Sequence, residues 1–158
     1  MTRIRTLRSV SLLLAVSAVV LAGPVTGASA SKASIKTALN KGFPLVRSTE
    51  RAAVEAISAY KTTHEPAAVD AALAKAITAL KAVKSKVAAQ PAGRPAVKLA
   101  KSKLLKGISA IVLAYEHLGT AFEEKGTDPS AAEAEASTAV TKIKAGNKQV
   151  KEAVKLLS

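Results

Sequence analysis

Apolar side chains recur at alternating steps of four and three residues along most of this chain, and this spacing restricts its fold more than any other feature. A strand cannot use such a spacing, whereas an α-helix uses it to keep one apolar seam along its length, as in a coiled coil. The sequence therefore predicts three long amphipathic helices. Their seams comprise Val69, Leu73, Ala76, Leu80, Val83 and Val87; Val97, Leu104, Ile108, Ile111, Tyr115, Leu118 and Phe122; and Ala136, Val140, Ile143, Asn147, Val150, Val154 and Leu157.

Prolines mark the start of each predicted long helix, where the first turn tolerates a residue that has no N–H to donate. Pro66, Pro95 and Pro129 hold these positions. Asp128 is the predicted N-cap of the last helix, and Gly126 closes the helix before it. These signals place the three helices near residues 66–89, 95–125 and 129–157.

An earlier helical stretch runs from about residue 34 to residue 62. We expect a break at residues 42–44, because Pro44 removes a backbone hydrogen bond and disfavours the helical conformation of the residue before it. Short loops between consecutive helices favour antiparallel neighbours. The predicted fold is therefore all-α, an up-and-down antiparallel bundle of three long helices and a broken N-terminal helix. The apolar positions of that first helix are Val46, Ala53, Ile57 and Tyr60.

The first thirty residues have the pattern of an export signal. Three arginines form a basic start, residues 10–22 are apolar apart from two serines, and Ala28 and Ala30 place small side chains where a signal peptidase inspects the chain. The apolar run of about 13 residues is shorter than the roughly 20 that a membrane-spanning helix needs. We therefore expect a signal peptide over residues 1–30, cleaved after Ala30.

Removal of the signal leaves one predicted helical-bundle domain, residues 31–158, with no transmembrane anchor after processing. We expect this domain to be secreted into the extracellular or cell-envelope space. Its net charge falls from the +13 of the whole chain to +10, because three arginines leave with the signal. The chain contains no cysteine, which excludes a disulfide framework, a thiolate nucleophile, a zinc ribbon and an iron–sulfur cluster.

Basic residues are concentrated around the turn between the first two long helices. No acidic residue lies between Asp70 and Glu116, while nine lysines and arginines do. The last helix begins with acidic residues and ends with lysines, and an antiparallel bundle returns those lysines to the same end as the turn. The sequence thus predicts one basic pole and one acidic pole. The predicted polyanion-binding residues are Lys81, Lys84, Lys86, Arg94, Lys98, Lys101, Lys103, Lys148, Lys151 and Lys155.

Complementation of the helix dipole offers a simpler explanation of these charges. Acidic residues at a helix start and basic residues at its end each stabilise an exposed helix by about 0.3–1 kcal/mol. That explanation fails for the helix at 95–125, whose lysines crowd its start and whose Glu123 and Glu124 lie at its end. Gathering like charges also costs stability through repulsion. We therefore favour a binding surface over a generic solvated lysine face.

A lysine-rich surface suits polyanions, because each neutralised anionic group releases counterions. Lysines act as hydrated point charges, and the predicted surface has a single arginine, Arg94, and no nearby aromatic residue for base stacking. The expected partners are an anionic cell-envelope polymer, an anionic glycan or lipid heads, with nucleic acid bound only without selectivity.

A second hypothesis assigns the function to the apolar seams. Lys101 and Asn147 interrupt them, and polar residues at such positions can fix the register or oligomeric state of associating helices. The alternative function is therefore a partner-binding or self-associating helical module with no polyanion role. We favour a partly exposed seam in a monomer as the explanation of both residues, and the sequence leaves the oligomeric state open.

Enzymatic chemistry has little support in the sequence. The chain has no G-x-S-x-G elbow, no Gly-rich phosphate loop and no H-E-x-x-H pattern. Its two histidines, His64 and His117, could bind zinc or copper weakly with acidic neighbours, but we favour two solvated surface histidines. The protein is therefore predicted to be non-enzymatic, with no cofactor and no metal. The acidic residues that could join the two histidines as metal ligands are Glu65, Asp70 and Glu116.

Overall fold

The computed structural model describes residues 30–158, and these residues form four α-helices. The predicted all-α fold is confirmed for this part of the chain. The predicted signal peptide, apart from Ala30, lies outside the described residues. None of the described helices combines the length and the apolar character needed to cross a membrane. The helices are α1 (Ala30–Thr63), α2 (Pro66–Ala88), α3 (Pro95–Glu124) and α4 (Pro129–Leu157).

The helices run up and down, and each packs mainly on its neighbour in sequence, with α3 and α4 in the most extensive contact. Side-chain contacts between α3 and α4 show their opposite directions: Lys103 forms a salt bridge with Glu152, and further along α3 the His117 ring contacts the Glu135 carboxylate. Helix α1 also reaches α3, so α3 lies at the centre of the bundle. The predicted up-and-down arrangement is confirmed.

The helices α2, α3 and α4 begin at the prolines that the sequence analysis identified as helix starts. A proline occupies the first turn of α2, α3 and α4. Asp128 caps α4, because its Oδ1 accepts hydrogen bonds from Ser130 N at 3.1 Å and Ala131 N at 3.0 Å. The predicted bounds of these three helices agree with the structure to within one residue.

The predicted break at residues 42–44 is wrong, because α1 is continuous through Pro44. Leu39 and Val46 are buried on either side of it. Gly42 lies so close to α2 that a Cβ atom there would overlap Val83 Cγ2. Pro44 and Asn40 are exposed, so water can bind the Asn40 carbonyl that the proline leaves without its helical donor. Packing of both halves of α1 on the bundle outweighs the local preference.

The core consists of the predicted seams together with small residues that let helices approach closely. Every seam residue of α2 is buried, as are the apolar seam residues of α3. Helices α3 and α4 meet at two glycines: a Cβ atom on Gly107 would be 2.8 Å from the carbonyl oxygen of Gly146. In α4, Val140 and Asn147 are half-buried. The tight contact between α3 and α4 therefore holds the carboxyl-terminal helix beside the start of α3.

Candidate functional site

The charged residues separate along the bundle. We define the basic end as residues 30–49, 71–115 and 136–158, and the acidic end as residues 50–70 and 116–135. The basic end contains 18 lysines and arginines and one acidic residue, whereas the acidic end contains 10 acidic residues and three basic ones. Because α1 and α3 run in one direction and α2 and α4 in the other, these sequence segments come together in space. The bundle therefore carries a strong charge asymmetry along its axis.

All of the residues predicted to bind polyanions lie in the basic end, on three helices and one loop. Arg94 is the N-cap residue of α3, in the loop that follows α2. Lys84, Lys101 and Lys103 are half-buried, and the other seven are exposed. Helices α2 and α4 each pack against α3. The residues are Lys81, Lys84 and Lys86 on α2, Arg94 in the loop, Lys98, Lys101 and Lys103 on α3, and Lys148, Lys151 and Lys155 on α4.

Lys101 has a structural partner. Its Nζ donates to the carbonyl oxygens of Ala88 at 2.5 Å and Gln90 at 2.6 Å. These carbonyls belong to the end of α2 and the loop after it, where helix geometry leaves acceptors without partners. Lys101 therefore fastens α3 to the end of α2, which explains a lysine in an apolar seam. Its ammonium group is less available to a ligand than those of its exposed neighbours.

Two other predicted residues form salt bridges. Lys103 Nζ lies 2.5 Å from Glu152 Oε2, linking α3 to α4. Lys81 Nζ lies 3.3 Å from Glu116 Oε1, linking α2 to α3 near the boundary with the acidic end. Since both pairs are partly or largely exposed, they contribute little stability.

Helix α1 adds basic residues that the sequence analysis did not include. Lys32, Lys36 and Lys41 lie in its first half, which belongs to the basic end. The antiparallel order of four helices contains this information, because the start of the first helix must lie beside the end of the second. A cleft of about 450 Å³ opens between these two segments. It is lined by Ser34, Thr37, Ala38, Lys41, Lys86 and Gln90.

Helix dipoles account for only part of this charge pattern. Helices α2 and α4 have Lys86 and Lys155 in their last turns, where a positive charge is favourable. Helix α3 has no acidic residue in its first turn and no basic residue in its last. Helix α1 has Lys32 near its start, against its dipole, and Lys61 in its last turn, where a positive charge is favourable. Of the four described helices, α3 thus carries charge against its dipole at both ends, and α1 does so at its start only.

A buried carboxyl group lies near the boundary between the two ends. Glu50 is 4% exposed, and Tyr115 Oη donates a hydrogen bond of 2.9 Å to its Oε1. Burial raises the pKa of Glu50 to about 7, although the Tyr115 hydrogen bond and the charge of Arg47 act in the opposite direction. Burial, followed by the proximity of Glu50, also raises the pKa of Tyr115. The pair connects α1 to α3 inside the bundle.

The acidic end contains an aromatic contact and both histidines. The rings of Tyr60 and Phe122 meet edge to face at 4.9 Å, and Lys125 Nζ lies 4.5 Å from the Tyr60 ring centroid. His64 is exposed beyond α1, whereas His117 is half-buried and pairs with a carboxylate of α4. The described residues contain no group of three or more His, Cys, Asp or Glu side chains that could hold a metal ion.

Comparison with known proteins gives no further guide to the site. No protein-family model, curated protein or solved structure matches the chain. A proposal about function therefore depends on the residues of the bundle and their physical chemistry.

Proposed function

We propose that the protein is an exported, non-enzymatic helical protein that binds anionic polymers of the cell envelope or extracellular space through its basic end. The observation that carries the proposal is the composition of the basic end. It contains 18 basic residues, from all four described helices and one loop, and a single acidic residue. Such a surface gains affinity by releasing the counterions of a polyanion. The export signal in the first thirty residues supports a partner outside the cytoplasm.

The cost of assembling this surface supports a binding role. Like charges at one end destabilise the compact state through repulsion, and the first turns of α1 and α3 gain nothing from their dipoles. A polyanion would neutralise the repulsion and so stabilise the folded protein. Lysines spread over four helices suit a flexible polymer better than a small ligand, because each one acts as a separate point charge.

The proposal does not extend to selective recognition of nucleic acid. Stacking of bases requires exposed aromatic rings, and the aromatic residues of the basic end pack into the bundle: Tyr115 is buried and Phe43 lies against the core. Duplex readers favour arginine for bidentate contacts with bases, whereas lysine predominates here. Nucleic acid would therefore bind through its phosphates alone.

A self-associating helical module remains the alternative function. The capping contact of Lys101 with the end of α2 accounts for that residue within a single chain, so this lysine does not require a partner helix. Asn147 is half-buried on α4 and is the polar seam residue on which the alternative now depends.

Elution of residues 31–158 from immobilised dextran sulfate over a salt gradient tests the proposal. The variant carries Lys86→Gln and Lys98→Gln, since both side chains are exposed and neither forms a salt bridge described above. The control carries Arg51→Gln and Lys61→Gln, which remove the same charge from the acidic end; Arg51 pairs there with Glu55, one turn further along the same helix, in an exposed salt bridge of little stability. Circular dichroism establishes that all three proteins have the same helix content.

We expect the wild type and the control to elute together and the basic-end variant to elute at lower salt. The slope of log affinity against log salt should fall by roughly 1 for each lysine removed. Equal shifts in both variants would show that only net charge matters, and absence of wild-type retention at physiological salt would refute the proposal.

A further inference from the structure

Two exposed leucines lie on neighbouring helices, Leu99 on α3 and Leu156 on α4, each one turn from the same salt bridge. Leu99 is 50% exposed and Leu156 is 36% exposed. Leu99 lies one turn before Lys103, Leu156 lies one turn after Glu152, and the Lys103–Glu152 salt bridge joins the two helices. Residues four apart share a helix face. Because the helices are antiparallel, both leucines lie on the same side of this bridge, toward the outer tip of the basic end. We call them the leucine pair.

Exposed lysines flank the leucine pair along the chain. Lys98 precedes Leu99 and Lys155 precedes Leu156, and both lysines are exposed. The pKa of Glu152 lies below its usual value, mainly because Lys103 donates to it and also because of the charges of Lys103, Lys148 and Lys155. The carboxylate nearest to the leucine pair is therefore already engaged by lysines, and the surface as a whole remains basic.

We propose that the leucine pair and the surrounding lysines dock the protein on the surface of an anionic lipid bilayer, an inference that rests on the polyanion binding proposed above. Lysines near a membrane gain energy from anionic lipid heads, and aliphatic side chains between them gain energy by entering the region below the head groups. A dissolved anionic polymer offers the lysines the same charges but gives aliphatic side chains no apolar phase to enter. The leucines therefore favour the lipid surface.

A second copy of the chain is the competing occupant of this surface. Two basic ends would repel each other, since each contains 18 basic residues and one acidic residue. The acidic end of another molecule would satisfy the charges in a head-to-tail array, but such contacts continue into open chains. An anionic bilayer provides negative charges for the lysines and an apolar phase for the leucines.

Co-sedimentation with vesicles tests the inference. The vesicles consist of equimolar phosphatidylglycerol and phosphatidylcholine, with phosphatidylcholine alone as the neutral reference, at physiological salt. The variant carries Leu99→Ser and Leu156→Ser. The control carries Leu45→Ser and Leu113→Ser, which remove two leucines that are 58% and 45% exposed and lie away from the leucine pair. Each protein is also eluted from dextran sulfate.

We expect the wild type and the control to bind the anionic vesicles and not the neutral ones. The leucine-pair variant should bind anionic vesicles about tenfold more weakly and elute from dextran sulfate with the wild type. Equal vesicle binding by the leucine-pair variant would overturn the inference, as would its parallel loss of vesicle binding and dextran sulfate retention. If the wild type is retained on dextran sulfate but does not bind vesicles, the lipid inference alone is overturned. If it binds neither dextran sulfate nor vesicles, the proposed function is refuted as well.

A fluorescent reporter locates the leucines directly, because the chain has no tryptophan. Leu99→Trp should show a blue shift of its emission with anionic vesicles and none with dissolved dextran sulfate, whereas Leu113→Trp should show none with either. Absence of a shift at position 99 in the vesicle-bound protein would place the leucines in water and overturn the inference. The sedimentation coefficient is also measured over a range of protein concentrations without vesicles. If it rises with concentration, and rises less for the leucine-pair variant, the surface binds a second copy of the chain and the inference is overturned.

Discussion

Glu50 is a buried residue whose ionisation affects the stability of the fold. Its pKa rises from 4.5 to about 7 in the folded protein, chiefly because of burial. Between these pH values the folded state keeps a proton that the unfolded chain has released, so stability falls as the pH rises. The contribution of this carboxyl group is therefore fully present below pH 4.5 and is lost as the pH rises through about 7.

Glu50→Gln should remove this pH dependence. The amide stays neutral, and its oxygen can still accept the hydrogen bond from Tyr115. We expect variant and wild type to have similar free energies of unfolding near pH 4, and the variant to be more stable at pH 8 by up to about 3 kcal/mol. Urea denaturation at both pH values measures the difference. A constant offset between the two proteins across this range would contradict the assignment to Glu50.

The ammonium group of Lys101 binds two carbonyl oxygens at the end of α2, so its removal should destabilise the fold. Lys101→Met should lower the free energy of unfolding by about 1–3 kcal/mol, since it removes hydrogen bonds to a charged group. Lys98→Met removes an exposed lysine from the same helix and should change stability by no more than about 0.5 kcal/mol. Urea denaturation compares the two variants. Equal stabilities would show that the capping contact contributes nothing.

The helices themselves could be predicted closely from the sequence, and the exceptions have physical causes. Heptad spacing and prolines located α2, α3 and α4, since both signals are local. The break expected at Pro44 is absent because packing on α2 outweighs the lost hydrogen bond. Glu50 occupies a seam position, four residues after Val46 and three before Ala53. Spacing alone could have placed it in the core, but its side-chain type argued against that position.

The contact between α3 and α4 depends on glycines, which the apolar seams do not reveal. A Cβ atom on Gly107 would lie 2.8 Å from the Gly146 carbonyl oxygen and 3.1 Å from Val150 N. Both are backbone atoms and cannot move aside cheaply. Gly119, on the same helix, has only a side-chain atom of Asp70 within reach, at 3.8 Å. The two glycines of α3 therefore form a matched pair for substitution.

Alanine at these two positions should have opposite effects. Gly119→Ala should stabilise the protein by up to about 1 kcal/mol through helix propensity. Gly107→Ala gains the same propensity, but overpacking of the core typically costs about 1–3 kcal/mol, so we expect a net loss. Urea denaturation of both variants gives the comparison. A stabilising Gly107→Ala would mean that α3 and α4 can separate without cost.

The basic end is a property of the whole molecule, which explains why the sequence analysis identified it only in part. Lysines around the turn after α2 are neighbours in sequence, so their cluster was visible without a fold. The lysines of α4 can be placed at the same end only if the helices are antiparallel, and those of α1 only if the order of all four helices is known. Lys101 and Lys103 lie in the basic end, but their structural contacts depend on atomic positions that spacing does not provide.

Repulsion within the basic end should make the protein more stable in moderate salt than in very low salt. The Debye length falls from about 30 Å at 0.01 M to about 8 Å at 0.15 M, so salt screens lysines on neighbouring helices from one another. We expect the melting temperature to rise by roughly 3–6 °C over this range, which corresponds to about 1 kcal/mol for a domain of this size. Thermal melts in sodium chloride, followed by circular dichroism, measure the change.

The paired variants assign that rise to one end of the bundle. Lys86→Gln with Lys98→Gln removes two of the repelling charges, so the rise in melting temperature should become smaller. Arg51→Gln with Lys61→Gln makes the acidic end more negative, so the rise should stay the same or increase. A melting temperature that falls with salt in the wild type would mean that attraction between the two ends outweighs repulsion within the basic end. In that case the charge pattern would stabilise the bundle, and its cost would no longer support a binding role for the basic end.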